Sequence, residues 1–203
     1  ISFFVFTLPF LELVVSFLLH LVILSLVVSI VASYLYGGLQ VVPRPHATVP
    51  VRRHLGILAA VASVIIGVQY WIGRYSLLTQ SGDNIDGAMY ADVNATLPAH
   101  SILAAISIAV AALFLVAAFR GTWRLPTIGV AVTVVAALVI GGAYPALIEQ
   151  FRVRPNARSL NAPYIQHNID ATLEAYGLDD LDYQTYDATT TAQPGQLRED
   201  SES

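Results

Sequence analysis

The stretch LPAHSILAAISIAVAALFLVAAF, Leu97–Phe119, decides the fold. It is a long apolar run without a single Asp, Glu, Lys or Arg. A helix needs about 20 mostly apolar residues to cross the hydrocarbon core of a bilayer. Thr96 is placed to cap this helix, and Pro98 falls in the first turn, where its missing N–H costs no hydrogen bond. The stretch therefore predicts a transmembrane helix.

Three further segments meet the same length criterion. The first ends at Gly37-Gly38, a typical helix stop, and the last contains Pro145, which we expect to kink or terminate it. We predict an all-α membrane protein with a bundle of four transmembrane helices, followed by a short extracytoplasmic amphipathic helix and a disordered tail. The predicted spans are residues 10–36, 54–78, 97–119 and 125–151.

The composition agrees with a membrane protein. Of the 203 residues, 56% are hydrophobic and 12% are charged, whereas soluble domains contain about 25% charged residues. There is no cysteine, which excludes disulfides and thiolate chemistry, and the net charge of −4 gives no reason to expect nucleic-acid binding. The chain enters apolar sequence at Ile1 without a basic n-region, so we expect no signal peptide and interpret the chain as part of a longer protein.

The charges of the connecting loops predict the orientation. Residues 37–53 carry three arginines and residues 120–124 carry two, and neither loop contains an acid. Residues 79–96 carry three aspartates and no basic residue. Because cytoplasmic loops are enriched in Lys and Arg, the two basic loops are predicted to be cytoplasmic, and residues after about 152 extracytoplasmic. The arginines at 152, 154 and 158 are a weaker argument against this orientation.

The region 152–203 is predicted to begin the external part of the protein. Asn161 is a plausible N-cap for a helix over residues 161–176, Pro163 lies in its first turn, and Gly177 suits its C-terminal end. Residues 188–203 have almost no apolar side chains, and we predict them to be disordered. One apolar stripe follows the helix at regular spacing: Ile165, Ile169, Leu173 and Tyr176.

Few polar groups lie within the predicted spans. Ionisable residues there are functional candidates by default, and the four polar candidates are Glu12, His20, Gln69 and Arg74. We favour a structural role in which Glu12 pairs with Arg74 and His20 forms a hydrogen bond with a neighbouring helix. The alternative is a transport path that uses all four.

A stripe of small residues follows one face of the second span: Gly56, Ala60, Ser63 and Gly67. Small residues let helix backbones approach closely in lipid. We favour packing within one bundle over a dedicated oligomer interface.

The sequence predicts no catalytic, cofactor-binding or metal-ligating residue. The Asp-rich loop offers Asn84 and Asp86 to a calcium motif aligned on Gly87. Gly82 and Val93 then occupy the first and last ligand positions, so a solvated turn is favoured over a metal site. We accordingly expect no cofactor.

The residues after the last span carry a family resemblance. The longest matching set is Gln150-Phe151, Val153, Pro155-Asn156, Pro163-Tyr164-Ile165, Asn168-Ile169, Thr172 and Ala175-Tyr176-Gly177-Leu178. With Tyr90, Asp92-Val93 and Leu97-Pro98, these residues make the chain resemble the UPF0182 family, bacterial membrane proteins of uncharacterised function. The resemblance implies a multi-pass protein of the bacterial plasma membrane, with further spans before Ile1 and a large external domain after Ser203.

Three functions remain open at this point. The favoured one is a non-enzymatic membrane module that anchors and positions an extracytoplasmic domain in the cell envelope. Its partners would be the lipid bilayer, the remainder of its own chain and other envelope proteins. The second is a component of a transporter or channel, and the third is an envelope enzyme.

Overall fold

The computed structural model describes residues 2–40, 46–81, 86–121 and 124–178. Within these ranges two short strands, β1 (Leu39–Gln40) and β2 (His46–Ala47), pair antiparallel with Leu39 opposite Ala47. The α-helices are α1 (Leu8–Leu35), α2 (Val49–Ser76), α3 (Leu97–Arg120), α4 (Arg124–Ala136), α5 (Tyr144–Ile148) and α6 (Ala157–Tyr176). Wider π turns occupy Phe3–Thr7, Asp92–Thr96, Ala137–Ala143 and Glu149–Val153, and a 3₁₀ turn occupies Arg154–Asn156.

Four helical runs are long and apolar enough to cross a membrane, which confirms the predicted number. They are Phe3–Leu35, Val49–Ser76, Asp92–Arg120 and Thr127–Tyr176. The chain divides into two compact units, residues 1–167 and 168–203. The described part of the second unit is the last part of α6 and its terminating turn. The predicted disordered tail, residues 188–203, lies outside the described residues.

Two glycines end helices as the sequence predicts. Gly37 follows α1 with φ +70°, and Gly177 follows α6 with φ +65°. At Gly177 the N–H donates to the carbonyl of Glu174, and the N–H of Leu178 reaches back to Leu173. These two bonds form a Schellman motif, which needs a residue that accepts a positive φ.

The predicted helix starts at Thr96 and Asn161 are wrong. Thr96 has helical backbone angles and no side-chain cap, because the helical run begins before it. The cap lies upstream, where the carboxylate of Asp92 accepts the backbone N–H of Met89 at 3.0 Å. Asn161 lies inside α6, four residues after its start, and its amide is used in a tertiary contact described below. Pro163 is likewise inside this helix rather than in its first turn.

Each described π turn ends two residues before a proline. The pairs are Thr7 with Pro9, Thr96 with Pro98, Ala143 with Pro145, and Val153 with Pro155. A proline ring crowds the carbonyl one α-turn behind it and lacks the N–H to bond it, so a locally widened turn relieves both problems. Pro145 therefore does not terminate its helical run, in contrast to one outcome expected from the sequence.

The helices pack in sequence order: α1 against α2, α2 against α3, and α3 against α4. Helix α3 is the most buried, and residues such as Leu103, Ser107 and Val110 are almost fully enclosed. The small-residue stripe of α2 faces this helix. A Cβ on Gly56 would lie 2.6 Å from the Cβ of Ala118, so only glycine permits the observed approach of the two backbones.

Helix α1 buries one narrow seam, Leu8, Val15 and Val22, at seven-residue intervals. Its remaining large apolar side chains are mostly exposed, and Phe17 and Leu24 expose 62% and 65% of their surface. Such a surface is unfavourable in water, since contiguous apolar patches of this kind mark membrane or protein contacts. It is the surface expected of a helix that faces lipid or further helices.

Candidate functional site

The last helical run is fastened to the start of the third by two side-chain hydrogen bonds. The backbone N–H of Tyr90 donates to Oδ1 of Asn161 at 3.3 Å. Nδ2 of Asn94 donates to the hydroxyl of Tyr164 at 3.2 Å. Asn94 lies four residues after Tyr90 and Tyr164 lies three residues after Asn161, so adjacent turns of the two helical runs make the two contacts.

Aromatic and cationic contacts add to these two hydrogen bonds. The rings of Tyr90 and Tyr164 meet edge to face, with centroids 6.4 Å apart. The guanidinium of Arg152 lies 5.6 Å from the centre of the Tyr90 ring. Tyr90 is thereby contacted from two directions. We call Tyr90, Asn94, Arg152, Asn161 and Tyr164 the exit junction, because they hold the chain where it leaves the apolar helices.

The local sequence explains why the exit junction forms. The Asp92 cap fixes the turn that carries Tyr90, and the π turn before Pro98 sets how Tyr90 and Asn94 are rotated relative to α3. Asn94 also donates to the carbonyl of Tyr90 at 2.9 Å, which orients its amide. On the last helical run, the side chain of Val153, next to Arg152, is buried with 2% of its surface exposed.

A second polar site is a cleft between α1 and α2 with a volume of about 290 Å³. Glu12, Ser16 and Gln69 contribute its polar side chains, and Gly73 forms part of its wall. The hydroxyl of Ser76 donates to Oε1 of Glu12. We call this site the polar cleft.

The structure brings together only part of the predicted polar set. Glu12 and Gln69 line the polar cleft, whereas the Arg74 guanidinium stacks 4.4 Å from the centre of the Trp71 ring. Glu12 and Arg74 form no ion pair: the carboxylate is bound by Ser76 and the arginine is held by tryptophan. The predicted pairing is therefore wrong. The imidazole of His20 bonds the carbonyl of Ser16 in its own helix at 2.6 Å, rather than a neighbouring helix.

Two histidines with tertiary contacts were not among the candidates named from the sequence. Nε2 of His54 lies 3.1 Å from the hydroxyl of Ser29, which joins α2 to α1. The His100 ring lies against Gly73 and 5.8 Å from the Tyr70 ring. Nδ1 of His100 and Nε of Arg74 are buried without a hydrogen-bond partner among the described residues. His100 was overlooked because the helix starts earlier than predicted, which places it more than two turns inside.

The described residues contain no group of three or more His, Asp or Glu side chains able to hold a metal ion. Asn84 of the calcium alignment lies outside the described residues. We call α6 the exit helix. On its apolar stripe Ile165 and Leu173 are half-buried, whereas Ile169 and Tyr176 expose 47% and 77% of their surface.

The fold defines a class, a helical protein with four helices long and apolar enough to cross a membrane. The sequence profile of the "Uncharacterised protein family (UPF0182)" matches residues 1–203, and the chain belongs to this family. UPF0182 proteins of Kocuria rhizophila and Kineococcus radiotolerans are each 45% identical to it, over 100% and 99% of the chain. The UPF0182 protein of Micrococcus luteus is 41% identical over 97% of the chain.

The chain spans 21%, 20% and 19% of the lengths of these three relatives. Most of each relative therefore lies outside the matched region. No solved structure matches the chain.

Proposed function

We propose that this chain is a non-enzymatic, multi-pass module of the bacterial plasma membrane that anchors an extracytoplasmic region and fixes the direction in which it leaves the bilayer. The observation that carries the proposal is the exit junction. A chain that merely emerged from the membrane would need no fastening. Here the emerging helix is tied to the neighbouring span by Asn161 and Tyr164.

The charges support the proposed orientation. Arg52, Arg53 and Arg120 lie where α2 begins and α3 ends, and Asp86 and Asp92 lie in the connection between the other ends of these two helices. The positive-inside rule then assigns the arginine end to the cytoplasm. Arg152 is a cation on the proposed outer side, and its stacking on the Tyr90 ring gives it a local structural role there.

The lengths of the relatives support an anchoring role. Since about four fifths of each relative lies outside the matched region, this chain would be one part of a longer protein. The exit helix, with Ile169 and Tyr176 uncovered, would be its point of attachment to the external region. The partners proposed here are the bilayer, the rest of the same protein and other envelope proteins.

The positioning role is tested by distances in the full-length protein in nanodiscs. Spin labels at Leu115→Cys and His167→Cys replace two exposed side chains, one on α3 and one on α6. We expect a narrow distance distribution that broadens when Asn161→Ala and Tyr164→Phe are added. A distribution that is already broad with the exit junction intact would contradict the proposal.

The polar cleft favours a second candidate, a component of a transporter or channel. Glu12 and Gln69 line one cavity, and His20 bonds Ser16 on its wall. Polar side chains that converge within a membrane mark ion or proton paths in transporters. Proton flux into liposomes that contain the full-length protein, followed with a pH-sensitive dye, tests this candidate. Flux lost in Glu12→Gln but kept in Glu174→Gln, an exposed carboxylate elsewhere, would favour transport, and no flux above empty liposomes would reject it.

A further inference from the structure

An apolar cavity lies between α1, α2, α3 and α4 and has a volume of about 520 Å³. This is within the range of small-molecule sites, about 300–1,000 Å³. Its walls are formed mainly by aliphatic side chains and Phe114. The hydroxyls of Ser63 and Thr133 also line it, but each donates to a carbonyl of its own helix, Ala59 and Gly129. The cavity therefore presents a hydrocarbon-like surface.

The cavity has the depth of one bilayer leaflet. Its lining on α2 runs from Arg52 to Ile66, a rise of about 21 Å at 1.5 Å per residue. One leaflet of a bilayer, including its polar headgroup region, is about 20–22 Å thick. A single acyl chain that entered beside Arg52 would reach the inner end of the cavity near the bilayer midplane.

The charge at the mouth selects the headgroup. Arg52 itself lines the cavity, and its described hydrogen bond, to the carbonyl of Ala118 at 3.4 Å, uses only Nε. Its two terminal nitrogens have no hydrogen-bond partner among the residues that the structure describes. Arg53, stacked 5.6 Å from the Phe119 ring, and Arg120 lie at the same end of the helices. None of the described acidic residues lies at this end.

We propose that this cavity binds one acyl chain of an anionic phospholipid, with the lipid phosphate held by the terminal nitrogens of Arg52. Arginine suits this role because its planar guanidinium bonds two phosphate oxygens at once. Basic pockets between transmembrane helices on the cytoplasmic side bind anionic lipid headgroups in other membrane proteins. Here the basic mouth and the apolar cavity together hold headgroup and chain.

The test uses the full-length protein in nanodiscs with traces of phosphatidylglycerol that carries a photoactivatable diazirine on one acyl chain. Phosphatidylcholine with the same labelled chain is the matched probe. We expect the phosphatidylglycerol probe to label α2 and α3 peptides that line the cavity, including Ala59 and Phe114, about fivefold more than the phosphatidylcholine probe. Equal labelling by the two probes would overturn the phosphate contact, and cavity peptides left unlabelled by both would show that protein fills the cavity and overturn the proposal.

Two pairs of variants extend the test. Arg52→Gln should abolish the preference for phosphatidylglycerol, whereas Arg154→Gln, an exposed arginine elsewhere, should keep it. Ala59→Phe fills the cavity and should remove its labelling, whereas Ala112→Phe, on the exposed face of α3, should not. Retained preference in Arg52→Gln, or retained labelling in Ala59→Phe, would contradict the proposal. The comparison of the two lipids needs no variant, so it stands even if a variant fails to fold.

Discussion

The backbone N–H of Tyr90 donates to the side-chain oxygen of Asn161, although 71 positions separate the two residues. This bond satisfies a donor in the first turn of a helical run, where backbone N–H groups have no intrahelical acceptor. An ordinary helix cap comes from the adjacent sequence. Here the acceptor comes from the helix on which the chain continues, so capping one helix also fixes the position of another.

Asn161→Ala should loosen the exit junction without unfolding the spans. Loss of one hydrogen bond costs about 1 kcal/mol, so amide exchange of residues 157–167 should accelerate about fivefold in the full-length protein. His167→Ala, which replaces an exposed side chain of the same helix, is the control and should leave exchange unchanged. Equal exchange in wild type and Asn161→Ala would show that the bond does not hold the helix.

Gly56→Ala should destabilise the packing of α2 on α3. The new methyl would lie 2.6 Å from the Cβ of Ala118 and 3.2 Å from its Cα, so the helices must separate. Such overpacking costs about 1–3 kcal/mol, which thermal unfolding in detergent would report as a lower midpoint. Gly142→Ala introduces the same methyl where the nearest atom is 3.9 Å away, and it should not lower the midpoint. A midpoint for Gly56→Ala at or above that of wild type would rule out this close contact.

Glu12 should be energetically coupled to Ser76 and not to Arg74. The Ser76 hydroxyl donates to the carboxylate, and Arg74 is stacked on Trp71 instead. In double-mutant cycles with Glu12→Gln, Ser76→Ala and Arg74→Gln, we expect coupling of about 1 kcal/mol for the first pair. Coupling below about 0.5 kcal/mol is expected for the pair with Arg74. A larger coupling energy for Glu12 with Arg74 than for Glu12 with Ser76 would contradict this assignment and support the ion pair predicted from the sequence.

Pro98→Ala should weaken the exit junction from a distance. Without the proline, the π turn Asp92–Thr96 can relax to an α-helix, which shifts the preceding residues by one position and rotates Tyr90 by about 100°. Amide exchange at Tyr90 should then rise, while α3 itself remains protected. Pro50→Ala is the control, because Pro50 starts α2 without a π turn before it. Exchange at Tyr90 that stays slow in Pro98→Ala would show that the π turn does not position Tyr90 in the exit junction.

The sequence predicted the features that depend on local composition. Apolar length marked four spans, Gly37 and Gly177 marked helix ends, and the small residues of α2 marked a close helix contact. Tertiary contacts were not predictable in this way. Judged only by its position along the membrane normal, Glu12 could pair with either Arg74 or Ser76. The rotation of α2 about its axis decides between them and brings Ser76 to the carboxylate.

The exit junction was missed for the same reason. Asn161 has the residue type and the proline neighbour of an N-cap, so the local sequence predicts a helix start there. The helix instead begins at Ala157, which leaves the amide free to accept a bond from Tyr90. The predicted helix start at Thr96 was wrong because the helical run continues upstream through the π turn before Pro98. His100 was overlooked for the same reason, since the earlier start places it deeper in the helix.

The most direct test of the anchoring account is the sidedness of the exit helix in intact cells that produce the full-length protein. The chain has no cysteine of its own, so His167→Cys and Arg120→Cys introduce single reporters here, with cysteines elsewhere in the protein replaced. A membrane-impermeant maleimide should label position 167 in intact cells and position 120 only after permeabilisation. Labelling of position 120 but not of position 167 in intact cells would place the exit helix in the cytoplasm and contradict the account.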